Sequence, residues 1–230
     1  FNMPIISNIL FAPMVRQANK IYASADDIVA VSRTYADRAL MGKGKSQKAT
    51  VVFLGTVLAN FDKLRKNRPP MEKPNDEIWM GYIGTLGHSY DLTCVMDAME
   101  LLCKEEATHN LRLIIMGDGP LRERFEEYAK SRKLPIFFTG MLPYSVMVPQ
   151  LCECDFAINP IIHGAAGSII NKVGDYAAAG LPVINTQECY EYQNLIEKYN
   201  CGINCQCGSA EGIANAIKRL CSDKSFSQKM

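Results

Sequence analysis

The chain has 230 residues, 48% of them hydrophobic, and its 25 basic and 24 acidic side chains leave a formal net charge of +1. That is enough apolar material for a sizeable core, and the even charge balance excludes the electrostatic footprint of a nucleic-acid binder or of a broad acidic partner. No apolar run approaches the roughly 18 residues that span a bilayer, and the opening FNMPIISNILFAPMVRQ lacks a signal-peptide layout, so a cytoplasmic protein is expected.

In chain order, residues 13–23 are predicted helical, 28–31 a strand, 32–40 a helix capped by Ser32, and 51–54 a strand. Two strands do not make an independent sheet core, so residues 1–58 are expected to be the tail of a domain whose beginning is absent. Lys63, Arg65, Lys66, Arg68, Pro69, Pro70, Lys73 and Pro74 follow without periodicity, and residues 59–76 read as a solvated interdomain linker. From 77 to 230 strands and helices alternate. A strand at 78–84 runs into Thr85-Leu86-Gly87-His88-Ser89, with a helix at 91–102. An apolar strand at 111–116 closes on Gly117-Asp118-Gly119-Pro120, where Pro120 suits the first position of a helix. Strands at 135–139, 156–160, 182–185 and 201–204 alternate with helices at 145–152, 190–199 and 210–221. This is the pattern of an α/β, Rossmann-like doubly wound parallel sheet with helices on both faces.

The segment SIINKVGDYAAAGLPVIN, residues 168–185, reads as a capped helix bearing an acid, a tight turn and a strand. Ser168 is the predicted N-cap, and the unpaired amides of the turn after it, with the helix dipole, favour an anion. Asp175 lies seven residues on, roughly 10 Å along the axis. Ser168, Asn171 and Asp175 would share one face, placing a carboxylate near the ribose of a nucleotide whose phosphate sits at the cap. An ordinary core helix with both polar residues solvated fits the segment equally. Gly117 and Gly119 fall at the carboxyl edge of the sheet, where ligands bind in open α/β folds.

The nine cysteines scatter over helices and strands, as small buried hydrophobes do in a reducing compartment. Cys201, Cys205 and Cys207 include no C-x-x-C pair and have no nearby histidine, so no metal site is expected. Gly81, Gly84 and Gly87 do not have G-x-G-x-x-G spacing, which disfavours a nicotinamide dehydrogenase.

The succession SADDIVAVSRTYADRAL, VVFLGTVLANFD, GYIGTLGHSYDL, LIIMGDGPLRERF, FFTGMLPYSVM, CDFAINPI, NKVGDYAAAGLPVI and CGINCQCGSAEGIANAI resembles the GT-B glycosyltransferases of family 4 over nearly the whole chain. The resemblance implies two facing Rossmann-like domains, the C-terminal one (77–230) holding a nucleotide diphosphate sugar and the N-terminal one holding the acceptor. It implies a retaining, metal-independent sugar transfer with no cofactor. The donor would be a UDP- or GDP-sugar, and the acceptor a glycan or lipid-linked molecule of surface polysaccharide (capsule) biosynthesis. Peripheral association with the inner face of the membrane would run through the N-terminal domain.

Carried over by motif, Asp175 matches the family acid on the ribose hydroxyls, usually Glu in the second place of Glu-x7-Glu. The first Glu falls at Gly167, so the loop 164–168 would meet the diphosphate by backbone amides. Gly84 and Thr85 match the loop beside the phosphates. Met141 and Leu142 match the backbone contacts to the base, with Tyr144 stacking there or simply packing. The usual Arg and Lys fall at Thr85 and near His88 or Ser89, so the cationic pair is missing. Lys172 is the first candidate to replace it and His88 the second, with His163 weaker; a surface lysine and a loop histidine are the plain alternatives. Sugar-nucleotide epimerases, glycogen-type phosphorylases and a non-catalytic nucleotide-binding module remain open by the same fold.

Overall fold

The computed structural model describes residues 4–42, 44, 48–103 and 108–222. The ends of the two predicted domains, at 1–3 and 223–230, lie outside them. The chain divides into two units, Phe1–Leu54 with Gly167–Ile169, and Gly55–Ala166 with Ile170–Met230.

In the first unit, α1 (Pro4–Ser24) leads to β1 (Ile28–Ala30), α2 (Arg33–Leu40) and β2 (Ala49–Val51). The helix predicted from Pro13 begins at Pro4 and carries Pro13 inside it, where the ring removes one backbone donor. Ser32 caps α2, its hydroxyl accepting from the Tyr35 amide at 3.2 Å. The strands pair in parallel with Ile28 opposite Ala49. The strand predicted at 51–54 lies earlier, and its last tie is the Val52 amide to the Ala30 carbonyl at 2.9 Å.

The second unit contains α3 (Leu58–Leu64), β3 (Ile78–Ile83), α4 (Leu92–Leu102), β4 (Leu111–Met116), α5 (Arg122–Ser131), β5 (Ile136–Gly140), α6 (Tyr144–Cys152), β6 (Phe156–Asn159), α7 (Lys172–Ala179), β7 (Val183–Asn185), α8 (Tyr190–Tyr199), β8 (Gly202–Asn204) and α9 (Ala210–Ser222). Its strands form one six-stranded parallel sheet in the order β5-β4-β3-β6-β7-β8. The order reverses direction between β3 and β6, so the crevice at their carboxyl ends is the topological switch point. β3, β4 and β6 are buried on both faces, as apolar strands covered by helices are.

The stretch expected as a solvated linker is fastened to this unit. It contains all of α3 but its first residue, and Phe61 of that helix is fully buried. The Met71 amide donates to Gln150 at 2.9 Å, and Lys73 pairs with Asp155 at 2.7 Å. At the carboxyl ends of three neighbouring strands Asn159, Asn185 and Asn204 stand in register. Asn159 Nδ2 donates to Asn185 Oδ1 at 2.9 Å, and Asn185 Nδ2 donates to Asn204 Oδ1 at 3.0 Å. Asn159 and Asn185 are wholly buried.

No disulfide forms among the described residues; Cys94, Cys154, Cys189 and Cys221 are buried and Cys103 is exposed. Among the same residues no helix is long and apolar enough to cross a membrane.

Candidate functional site

The backbone at the carboxyl ends of β3 and β4 is built around glycine. Gly84 leaves β3 with φ of +136°, a conformation side chains rarely adopt, and its amide donates to the Met116 carbonyl at 3.1 Å. A Cβ on Gly117 would stand 1.8 Å from the Gly84 carbonyl oxygen, and one on Gly119 would stand 2.4 Å from that of Leu86. The two loops therefore lie against each other with no room for a methyl group. They leave a cavity of about 390 Å³ at the switch point, lined by Ile83, Gly84 and Thr85 after β3, Met116, Gly117 and Asp118 after β4, Met141, Leu142 and Met147 after β5, and Asn171, Lys172 and Asp175 at the start of α7.

Helix α7 does not begin where Ser168 predicts. The first helical residue is Lys172, and Asn171 occupies the cap position with helical backbone angles and no side-chain cap. Ile169 and Ile170, both β-branched, disfavour helix between the predicted cap and the observed start. Ser168, Asn171 and Asp175 consequently do not share one helix. Asn171 and Asp175, four residues apart, both reach the cavity, and Asp175 sits in the first turn, where the dipole favours an acid. Gly180, at φ +74°, ends the helix, and the amide of Leu181 donates to the Tyr176 carbonyl at 3.0 Å.

Tyr176 fixes α7 to the sheet. The pairing of β3 with β6 runs only from Met80 opposite Phe156 to Gly81 opposite Ala157. Beyond it the Tyr176 hydroxyl accepts from the Ile83 amide at 3.1 Å and donates to the Ile158 carbonyl at 3.2 Å. It thereby satisfies both strands where they part.

Lys172 is not a surface lysine. It is 9% exposed, and Nζ has no hydrogen-bond partner among the described residues. The amine lies 3.9 Å from the Tyr90 ring centroid and 4.1 Å from that of Tyr82, and these two rings meet edge to face at 5.8 Å. A Cβ on Gly84 would come within 3.0 Å of Nζ, so glycine there makes room for the amine. Burial pushes the amine well below the ordinary lysine range. An unpaired buried amine in a cavity wall is unfavourable by itself and suits an incoming anion.

Asp175 is held from the other side. Its Oδ1 accepts from Thr56 Oγ1 at 2.8 Å and from the Tyr144 hydroxyl at 2.8 Å. Burial, then the bond to Asp175, push the Tyr144 phenol up to about 12, so it stays a donor at neutral pH. Asp118 accepts from the Gly119 amide at 2.7 Å and from Arg122 at 3.0 Å; the Gly119 amide and then Arg122 hold its carboxyl below the usual range.

Of the residues singled out in the sequence, Gly84, Thr85, Gly117, Met141, Leu142, Asn171, Lys172 and Asp175 line the one cavity. Gly119 braces the loop without lining it, and His88 is exposed in the turn after β3, outside the lining. Gly167 and Ser168 group with the first unit and do not line the cavity. His163 pairs with Glu188 at 2.8 Å. Sequence reasoning missed Thr56, Asp118, Tyr82 and Tyr90. Asp118 stood inside the Gly-Asp-Gly turn, whereas no local signal ties Thr56 or the two tyrosines to α7. Among the described residues no group of three or more His, Cys, Asp or Glu is placed to hold a metal ion.

The profile of a family described as Glycosyl transferases group 1 matches residues 77–223. No curated protein matches the chain. Among solved structures, Anabaena Alr3699/HepE in complex with UDP and glucose is similar with a TM-score of 0.71 and 16% identity, over 94% of this chain and 59% of that one. S. aureus TarM, as a mutant in complex with Fondaparinux, alpha-GlcNAc-glycerol and UDP, is similar with a TM-score of 0.69 and 14% identity, over 95% of this chain and 40% of that one. The lipopolysaccharide outer core galactosyltransferase WaaB, in its apo form, is similar with a TM-score of 0.64 and 16% identity, over 86% of this chain and 53% of that one. The chain thus spans between 40% and 59% of the length of these proteins. At such identities the likeness shows the fold, a GT-B α/β sheet with a smaller α/β unit before it.

Proposed function

Because the chain belongs to the glycosyl transferases of group 1, we propose that it binds the donor in a retaining, metal-independent transfer of sugar from a nucleotide diphosphate sugar to a glycan or lipid-linked acceptor. The observation that carries this reading is the cavity at the switch point, which presents a hydroxyl-binding acid, Asp175, and a buried unpaired amine, Lys172, from one turn of one helix. In the transfer, the bond between the anomeric carbon and the phosphate oxygen breaks and its electron pair leaves with the diphosphate. The acceptor oxygen takes the carbon and gives its proton to the departing diphosphate oxygen. The charge that grows on the diphosphate is met by Lys172 and the N-terminal amides of α7. Asp175 accepts the ribose hydroxyls, and the base lies toward Met141 and Leu142.

HepE and TarM carry UDP in their complexes, which makes a UDP-sugar the first donor to test, with GDP-sugars second. TarM is in complex with Fondaparinux and alpha-GlcNAc-glycerol, and WaaB is a lipopolysaccharide outer core galactosyltransferase, which supports a role in surface polysaccharide assembly.

A non-catalytic nucleotide-binding module is the second reading. It is favoured by one observation: among the described residues lining the cavity, Lys172 is the sole basic side chain beside two carboxylates, Asp118 and Asp175. Calorimetric titration with UDP, GDP, ADP and their sugar conjugates, repeated on Asp175→Ala, tests nucleotide binding. One nucleotide should bind and its binding should collapse in the variant; a folded protein that binds none refutes the donor reading. Transfer to an acceptor that Lys172→Ala abolishes would exclude the module.

A further inference from the structure

The carboxylate of Asp175 is not poised by its own backbone. An aspartate has a broad, two-fold preference about its terminal torsion, so an unsupported carboxylate on α7 would turn either oxygen toward the cavity. Here one oxygen is fully committed. Oδ1 accepts two hydroxyl hydrogens, from Thr56 and Tyr144, each at 2.8 Å. Oδ2 has no hydrogen-bond partner among the described residues, and Asp175 lines the cavity.

The support is built into the backbone. Thr56 lies 119 positions from Asp175 in the chain and comes to it by crossing α7 at Gly174. A Cβ on Gly174 would stand 2.9 Å from Thr56 Oγ1 and 3.3 Å from the Thr56 amide nitrogen, so the crossing needs glycine inside a helix, where that residue costs stability. Tyr144 opens α6 directly after Met141, Leu142 and Pro143, and so ties the acid to the loop at the other end of the cavity.

We propose that Thr56 and Tyr144 are positioning residues of the donor site, saturating Oδ1 of Asp175 so that Oδ2 alone is presented to the vicinal diol of the nucleotide's ribose. This rests on the reading of Asp175 as the ribose acid. One carboxylate oxygen has lone pairs for both hydroxyls of a diol, and fixing its direction in advance removes the ordering cost from binding.

The test compares UDP with 2′,3′-dideoxy-UDP, by calorimetry on the full chain. Wild type should prefer UDP, and Asp175→Asn should weaken that preference. Thr56→Val and Tyr144→Phe should each lower affinity for UDP by about 2- to 10-fold while leaving dideoxy-UDP unchanged. In the Asp175→Asn background neither should have a further effect. Thr56→Ser should restore UDP binding, and Gly174→Ala should reproduce Thr56→Val although alanine favours helix.

Equal losses for both nucleotides would mean a merely structural role and overturn the inference. Tighter UDP binding in Tyr144→Phe would mean that the protein hydroxyls compete with the ribose, and would overturn it too. If wild type fails to discriminate the two nucleotides, or Asp175→Asn does not alter that discrimination, the ribose reading itself falls. If those two controls behave while the Thr56 and Tyr144 variants do not, only the positioning role falls.

Discussion

Lys172→Met exchanges a buried amine for a thioether of similar length, and its effects on stability and on binding run in opposite directions. The amine is 9% exposed and unpaired. Leaving such a group buried costs about 1–3 kcal/mol. Methionine would keep the contact with the rings of Tyr82 and Tyr90, since sulfur packs well against aromatic edges. A central gain of about 2 kcal/mol corresponds to a rise in Tm of about 4–8 °C for a protein of this size.

The pH dependence has a fixed sign. Burial holds the folded-state amine below the ordinary lysine range. The unfolded chain therefore binds more protons between the two values, and wild-type stability rises with pH across that window by up to about 1.4 kcal/mol per pH unit. The stability gap between variant and wild type should narrow as pH rises toward the ordinary lysine value. Scanning calorimetry at a series of pH values reads both effects, and a UDP titration of the same samples reads the loss of binding. A fall in Tm, or a gap that stays constant with pH, would show that the two rings hold the amine charged and refute the reasoning.

Gly117→Ala would place a methyl group 1.8 Å from the Gly84 carbonyl oxygen, and should cut soluble yield and abolish nucleotide binding, as read by chromatography and calorimetry. Asn185→Leu removes the centre of the amide row and takes the donor from Asn204 Oδ1, although Asn159 Nδ2 keeps Gln187 and Asn204 Nδ2 keeps the Gln193 carbonyl; urea unfolding should show a loss of about 1–3 kcal/mol. The exposed thiol of Cys103 should react first with a thiol reagent, and Cys103→Ser should remove that fast phase while Cys94, Cys154, Cys189 and Cys221 stay protected. The bond to Glu188 raises His163 above the ordinary imidazole range, so the pair persists below the raised value and is lost as pH rises through it. NMR titration should return His163 toward the ordinary range in Glu188→Gln.

Strands and helices that carry their own signal were legible in the sequence. Leu111–Met116 is an unbroken apolar run closed by Gly-Asp-Gly-Pro, and Tyr190–Tyr199 keeps helical periodicity between clear ends. The start of α7 was misread because serine is a good cap by type, while the two isoleucines after it set the backbone. Residues 59–76 resembled a linker because their charge and proline hid the anchors, buried Phe61 and the ties of Met71 to Gln150 and of Lys73 to Asp155. The site was half legible for a related reason. Its glycines and its acid announce themselves locally, but the burial of Lys172 is made by Tyr82 and Tyr90 from another strand and loop, and one of the two partners of Asp175, Thr56, comes from the far end of the unit. Such properties belong to tertiary contacts and leave no spacing to read.

The hydroxyl of Tyr176, lodged between β3 and β6, bears on how the molecule accommodates a ligand. To tilt or slide α7 would unpair the Ile83 amide and the Ile158 carbonyl at once, deep in the sheet. The helix that carries Lys172 and Asp175 is thus preorganised, and a nucleotide entering the crevice meets a rigid wall whose ordering entropy was spent during folding. Adjustment falls instead to side-chain rotamers and to the loop ahead of the helix. The Ile83 amide should then be among the slowest-exchanging protons of the chain, with a protection that a bound nucleotide scarcely changes.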